Sequence, residues 1–152
     1  MIIRLTETEM LVAGILGSER HRLSANRKTT RGQPVETSLD SHTVGAYGEI
    51  ATAKALGLYP GFTVNNFDGP DIEPNIQVRS ARKGKLILTD RDNPFQIYVL
   101  VLGIAPDLDV AGWVWGYEGQ DKKWLFDPNN NRPPAYFVPA KVLRSIETIH
   151  EN

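Results

Sequence analysis

An α/β fold, with a mixed central sheet flanked by helices, is predicted by three features of the 152-residue sequence. Two stretches with helical spacing of small and apolar residues lie in the first 56 positions, each behind a capping-type start. Beyond Pro60-Gly61 the character changes to short apolar runs separated by turn signals, which read as strands. One of these runs, Ile97-Tyr-Val-Leu-Val-Leu-Gly-Ile, is apolar on both faces, so it needs cover on both sides. Length, 41% hydrophobic and 23% charged residues fit one domain spanning 1–152.

Taken in order, Met1 to Leu5 is a short starting strand. Thr6 is then an N-cap with Glu9 three positions on, opening a helix to about Ser24 with Val12, Ile15, Leu16 and Leu23 on one face. Gly14 and Gly17 lower its helical propensity and mark close packing against another element. Arg27 to Asp40, with Gly32 and Pro34, is a long loop. A second helix runs from Asp40 or Ser41 to Leu56, with Gly57 as its stop. Strands are expected at Phe62 to Val64, Ile76 to Ala81, Leu86 to Thr89, Ile97 to Ile104 and Val110 to Tyr117. Asn129 to Asn131 with Pro133-Pro134 is a loop, and Pro139 to Ile146 is a short final helix.

Composition removes several function classes. Without cysteine there is no disulfide framework, thiolate metal site or cysteine nucleophile, so a metal must be held by oxygen or imidazole. No apolar run approaches the ~20 residues of a membrane span, and the acidic start is unlike a signal peptide, so a cytosolic protein is expected. A formal net charge of -1 argues against coating nucleic acid by bulk attraction. The distribution says more. Arg20, Arg22, Arg27, Lys28 and Arg31 form one basic segment, and Arg79, Arg82, Lys83, Lys85 and Arg91 another. Two solvated faces would look the same, but together the segments offer a local phosphate-binding surface, with Arg20, Arg22, Arg82, Lys83 and Lys85 as its candidate contacts.

The informative stretch is Asp68-Gly-Pro-Asp-Ile-Glu-Pro-Asn-Ile-Gln-Val-Arg-Ser. Two short strands meeting at Glu73-Pro74-Asn75 place Gln77 and Arg79 on one face, because strand side chains alternate, with Asp71 across the hairpin. Glu49, on the second helix, can lean over the sheet edge. Gly45-Ala46-Tyr47-Gly48-Glu49, then Pro70-Asp71, then Gln77-Val78-Arg79 resembles, in kind and order, the PD-(D/E)xK nuclease superfamily, and most closely its small phage-type members. The pattern continues through Tyr98 to Leu102, Gly112 to Gly116 and Val138-Pro139, so the resemblance covers roughly residues 40 to 145.

That resemblance implies a restriction-endonuclease-like sheet and Mg²⁺- or Mn²⁺-dependent cleavage of DNA, in a phage protein's case within the host cytosol. Asp71 would be the main metal ligand, Glu49 the supporting one and Gln77 a third, with Arg79 completing the catalytic set. Two positions depart from the family. Gln77 stands where Asp or Glu is usual and brings no negative charge, which weakens metal binding. Arg79 stands in place of lysine and cannot act as a general base, although it can grip a phosphate bidentately. The alternative is therefore a non-catalytic module that keeps the nuclease fold and binds nucleic acid, a protein partner or a second copy of itself. Between His42 and Glu49 lie two helical turns, so that histidine is within reach of the site, although a capping or surface place is expected. Trp113, Trp115 and Trp124 are candidates for base stacking, but the alternation around Trp113 and Trp115 favours core packing. Phosphate loops, nucleophile elbows and spaced zinc histidines are not found.

Overall fold

The computed structural model describes residues 1–24, 39–64, 69–128 and 133–151. After strand β1 (Ile2–Arg4), helix α1 (Glu7–Ser24) opens on the expected capping box. Thr6 N–H donates to Glu9 Oε1 at 2.8 Å, and Glu9 N–H to Thr6 Oγ1 at 3.1 Å. Helix α2 (Leu39–Leu56) lies antiparallel against it, tied at one end by Lys54 Nζ on Glu9 Oε1 and at the other by contact between the His21 and His42 rings. Gly17 sets how closely they approach. A Cβ there would lie 2.4 Å from Thr43 Oγ1 and 2.9 Å from the Thr43 Cα.

The main sheet has the order β1-β5-β4-β2, with β2 (Ile76–Ala81) at its edge, parallel to β4 (Ile97–Ile104). β5 (Asp107–Trp115) runs antiparallel to β4, and β1 antiparallel to β5. Three more strands, β3 (Leu86–Leu88), β6 (Leu125–Phe126) and β7 (Ala135–Val138), form a small antiparallel sheet of order β3-β7-β6. The α/β class is as predicted, and β4 is covered on both faces. On one side Val99 and Val101 meet Ala13, Leu16, Ala46, Ile50 and Ala53 of the two helices. On the other Tyr98 and Leu100 meet Leu86, Leu88 and Val138, so the second cover is the small sheet rather than a helix.

Both long helices, β2 and β4 match the sequence reading in extent, although α1 buries Ala13, Leu16 and Gly17 and leaves Ile15 exposed, whereas four other elements differ. Phe62 to Val64 is not a strand, because Phe62 turns into the left-handed region at φ 49. The segment before β2 supplies only a bridge between Ile72 and Ile76, not a paired strand. β5 begins earlier than expected and stops at Trp115, where Gly116 opens a short helix, α3 (Gly116–Gly119). The final helix is replaced by two 3-10 turns, Ala140–Val142 and Ile146–Glu151. Between them Arg144 is extended to exchange backbone hydrogen bonds with Trp113. Gly112, at φ 147, makes that possible: a Cβ there would lie 2.5 Å from the Arg144 carbonyl oxygen. The loop over Arg27 to Asp40 and the Asn129 to Asn131 loop fall largely outside the described residues. No described helix is long and apolar enough to cross a membrane.

Candidate functional site

The Gly-Ala-x-Gly-Glu segment has a steric meaning. Ala46 is wholly buried, and at Gly48 the backbone of α2 comes so close to β2 that a Cβ would fall on the Ser80 hydroxyl and 3.3 Å from Val78 Cγ1. Helix α2 can therefore lie on the edge strand, and the next residue, Glu49, is set beside that edge. Arg20 reaches Glu49 from α1. Its Nη1 and Nη2 donate to the two carboxylate oxygens at 2.8 Å each, and Nε and Nη2 also hold the Thr63 carbonyl at 3.0 and 2.7 Å. The pair is largely withdrawn from water, with side chains 13% and 16% exposed. Burial pushes the Glu49 carboxyl above its ordinary range despite the guanidinium, and the charge of Asp71 pushes the same way.

Asp71 caps the free edge of β2. Its Oδ2 accepts the outward Val78 N–H at 2.7 Å, a ladder position no strand fills. Burial raises its pKa, while the Val78 N–H and the charges of Arg79 and Arg20 pull it down without prevailing. The charge of Asp71 is one of the influences that hold the Glu49 carboxyl up.

Gln77 and Arg79 do share a face, the one turned away from α2, since Val78 and Ser80 meet Gly48. Gln77 Nε2 donates to the Gly69 carbonyl at 3.1 Å and to Gln96 Oε1 at 3.3 Å. Arg79 Nη2 donates to Asp92 Oδ1 at 2.9 Å, and its guanidinium lies 5.2 Å from the centre of the Tyr98 ring. Asp92 is fixed in turn by the Thr89 N–H on its other oxygen at 2.8 Å. The 69–71 segment therefore meets β2 twice, Gly69 holding Gln77 and Asp71 the Val78 N–H.

No family model, curated protein or solved structure matches this chain. The site rests on its own geometry. Among the described residues no group of three or more His, Asp or Glu is arranged to hold a metal, so Glu49 and Asp71 are a pair rather than a cage. Of the predicted phosphate contacts, Arg20 is committed to Glu49, and Arg22 sits on the outer face of α1 paired with Glu19. Arg82, Lys83 and Lys85 are exposed in the turn after β2. Arg27, Lys28 and Arg31 lie outside the described residues. His42 is neither cap nor surface residue. It is half-buried between the helices, 3.3 Å from Ser24 Oγ, where burial and then the His21 and Arg20 charges hold its pKa down. Trp113 is fully buried, as its alternation predicted.

A cavity of about 260 Å³ opens beside the carboxyl end of β2, lined by Tyr47, Gly48, Ser80 and Arg82 among others. Three partners were missed from sequence: Arg20 as the counter-ion of Glu49, and Asp92 and Gln96 as the holders of Arg79 and Gln77. The gap between the runs at Leu86 to Thr89 and Ile97 to Ile104 located that loop but gave no sign of its neighbours.

Proposed function

We propose that the chain is a Mg²⁺- or Mn²⁺-dependent, nuclease-like protein acting on DNA phosphodiester bonds in the cytosol, with Glu49 and Asp71 as its acidic pair. One observation carries this reading. Two largely buried carboxylates from different elements border the edge of β2, and burial raises both pKa values, the kind of perturbation that marks functional sites. The donor set suits a hard cation, since Mg²⁺ is commonly bound through one or two carboxylates and keeps several waters. Gln77, expected as a third ligand, instead lies on the face of β2 turned away from α2, where its amide donates to Gly69 and Gln96. When bound, such an ion would acidify a water and offset charge on the phosphate oxygens. Within the chain, Asp71 keeps Oδ2 on the Val78 N–H and has Oδ1 to offer, whereas Glu49 must first be released by Arg20. Arg79 uses only Nη2 on Asp92, so its other N–H groups are available to grip a phosphate.

A second reading, a non-catalytic nucleic-acid-binding or protein-interaction module, is favoured by the internal compensation: Arg20 on Glu49 and Arg79 on Asp92 leave little uncancelled charge. Plasmid nicking and cleavage of single-stranded DNA across Mg²⁺ and Mn²⁺ titrations, with Asp71→Ala as baseline, separates the two. The nuclease reading expects metal-dependent cleavage that falls at least a hundredfold in Asp71→Ala. Cleavage no greater than that baseline on any substrate removes the enzyme and leaves the module.

A further inference from the structure

The loop that holds Gln77 and Arg79 also carries an aromatic surface that the carboxylate pair does not use. Phe95 is 76% exposed and Tyr117 is 56% exposed, unusual for rings of this size. Neither is on slack backbone. Phe95 N–H donates to Asn93 Oδ1 at 2.9 Å, and the residues on either side of Phe95 clamp α3, Pro94 O accepting Tyr117 N–H at 2.9 Å and Gln96 O accepting Gly116 N–H at 2.8 Å. Gly116 has no room for a side chain here, since a Cβ would lie 2.4 Å from the Asn93 carbonyl oxygen. The two rings therefore leave adjoining, fixed stretches of chain. Behind Tyr117 stands Trp115, its ring stacked at 14° with centroids 6.3 Å apart, which leaves the far side of Tyr117 open.

We infer that Phe95 and Tyr117 form a base-stacking platform that makes single-stranded nucleic acid the preferred ligand of this site. The inference rests on the nucleic-acid reading above and specifies its substrate class. Unpaired bases present open π-faces to rigid aromatic rings, whereas bases inside a duplex do not. Position supports the same ligand. Gln96 of the platform loop accepts from Gln77, so the rings sit at the amino end of β2. Arg79 lies farther along that strand, and exposed Arg82, Lys83 and Lys85 follow in the turn beyond its carboxyl end. A strand laid along this edge would stack bases at one end, pass Asp71 and Arg79, and meet cations at the other. An apolar protein partner fits less well, because two rings bordered by Asn93, Gln96 and Gln77 fall short of the several hundred Å² of contiguous apolar surface such docking uses.

The test is fluorescence anisotropy in EDTA with a labelled single strand of about 15 nucleotides and its duplex. The intact chain should prefer the single strand. Phe95→Ala and Tyr117→Ala should each weaken single-strand binding about tenfold while leaving duplex binding and the salt slope unchanged. Charge reversal at Arg82 and Lys83 should weaken both ligands and flatten the slope. Unaltered single-strand affinity in both alanine variants, or equal losses for strand and duplex, overturns the platform but leaves the nucleic-acid reading standing. Absence of binding to either ligand at low salt removes that reading and the platform with it. Circular dichroism of the variants controls for folding.

Discussion

The two sides of the β2 edge solve the same problem, a charged or polar group on a sheet margin, in different ways. On the helix side Glu49 is answered by Arg20 from a packed neighbouring helix, in a bidentate pair that water barely reaches. On the other side Gln77 and Arg79 are answered by Gln96 and Asp92, which belong to a loop. The first arrangement is built into the helix–helix contact at Gly17 and the helix–strand contact at Gly48. The second depends on side chains that solvent or a ligand can rearrange. Breaking the pair on the helix side should therefore cost stability, and disturbing the loop side should alter binding more than folding.

The largest expected effect is at Glu49. Glu49→Gln leaves the Arg20 guanidinium buried without a counter-charge, and arginine cannot shed its proton to escape. A loss of about 3 kcal/mol is expected from urea unfolding at pH 7, in the range for removing one partner of a buried pair. Arg20→Met should cost less, because the stranded Glu49 carboxyl is already disposed to take up a proton. Equal losses in the two variants, or none, would mean that the pair is far better hydrated than its geometry indicates.

This asymmetry also explains what the sequence made legible. Local rules carried α1, α2, β2 and β4, because caps, spacing and apolar runs act over a few residues. Glu49 was singled out instead by the resemblance of its Gly-Ala-x-Gly-Glu segment to the nuclease family. Arg20, by contrast, looked like one member of a basic run. Its pairing with a residue 29 positions away follows from how two helices cross, which no local pattern records. The second sheet was missed for a like reason. β6 and β7 are strands of two and four residues, and the pairing of β7 with β3 spans about 50 positions. Phe95 and Tyr117 were invisible as a unit until the Pro94 and Gln96 carbonyls joined loop to helix.

The loop side has an intermediate test in Gln77→Glu, which restores the acidic residue usual in the nuclease family. The amide that now donates to the Gly69 carbonyl and Gln96 Oε1 would be replaced by a carboxylate facing two acceptors. Without divalent metal the variant should lose about 1 kcal/mol of stability, the cost of setting an acceptor where a donor was needed. Mg²⁺ should return that loss and raise the melting temperature of the variant more than that of the natural chain. Thermal melts with and without Mg²⁺ decide it, and an identical metal response in both chains would count against a cation within reach of residue 77.

The smallest effect, and the one whose sign discriminates best, belongs to Asp71, which lies between the two sides. Its pKa is raised in the folded chain, chiefly by burial, so the folded state holds the proton more tightly than the unfolded one. The natural chain is therefore favoured at acid pH and loses that advantage as pH climbs from the ordinary aspartate value, about 3.9, through the raised one. Asparagine keeps an oxygen for the Val78 N–H and carries no charge. Relative to the natural chain, Asp71→Asn should gain on the order of 0.5 kcal/mol across that window and be the more stable protein at neutral pH. Removing the Asp71 charge should also let Glu49 titrate lower, because Asp71 is one of the influences holding it up. Urea unfolding from pH 3 to 8, with NMR titration of Glu49, measures both. A stability difference that is flat with pH, or that moves against the variant as pH rises, would show that Asp71 is a contented edge cap, and the strained acidic pair would no longer be available to explain a catalytic site.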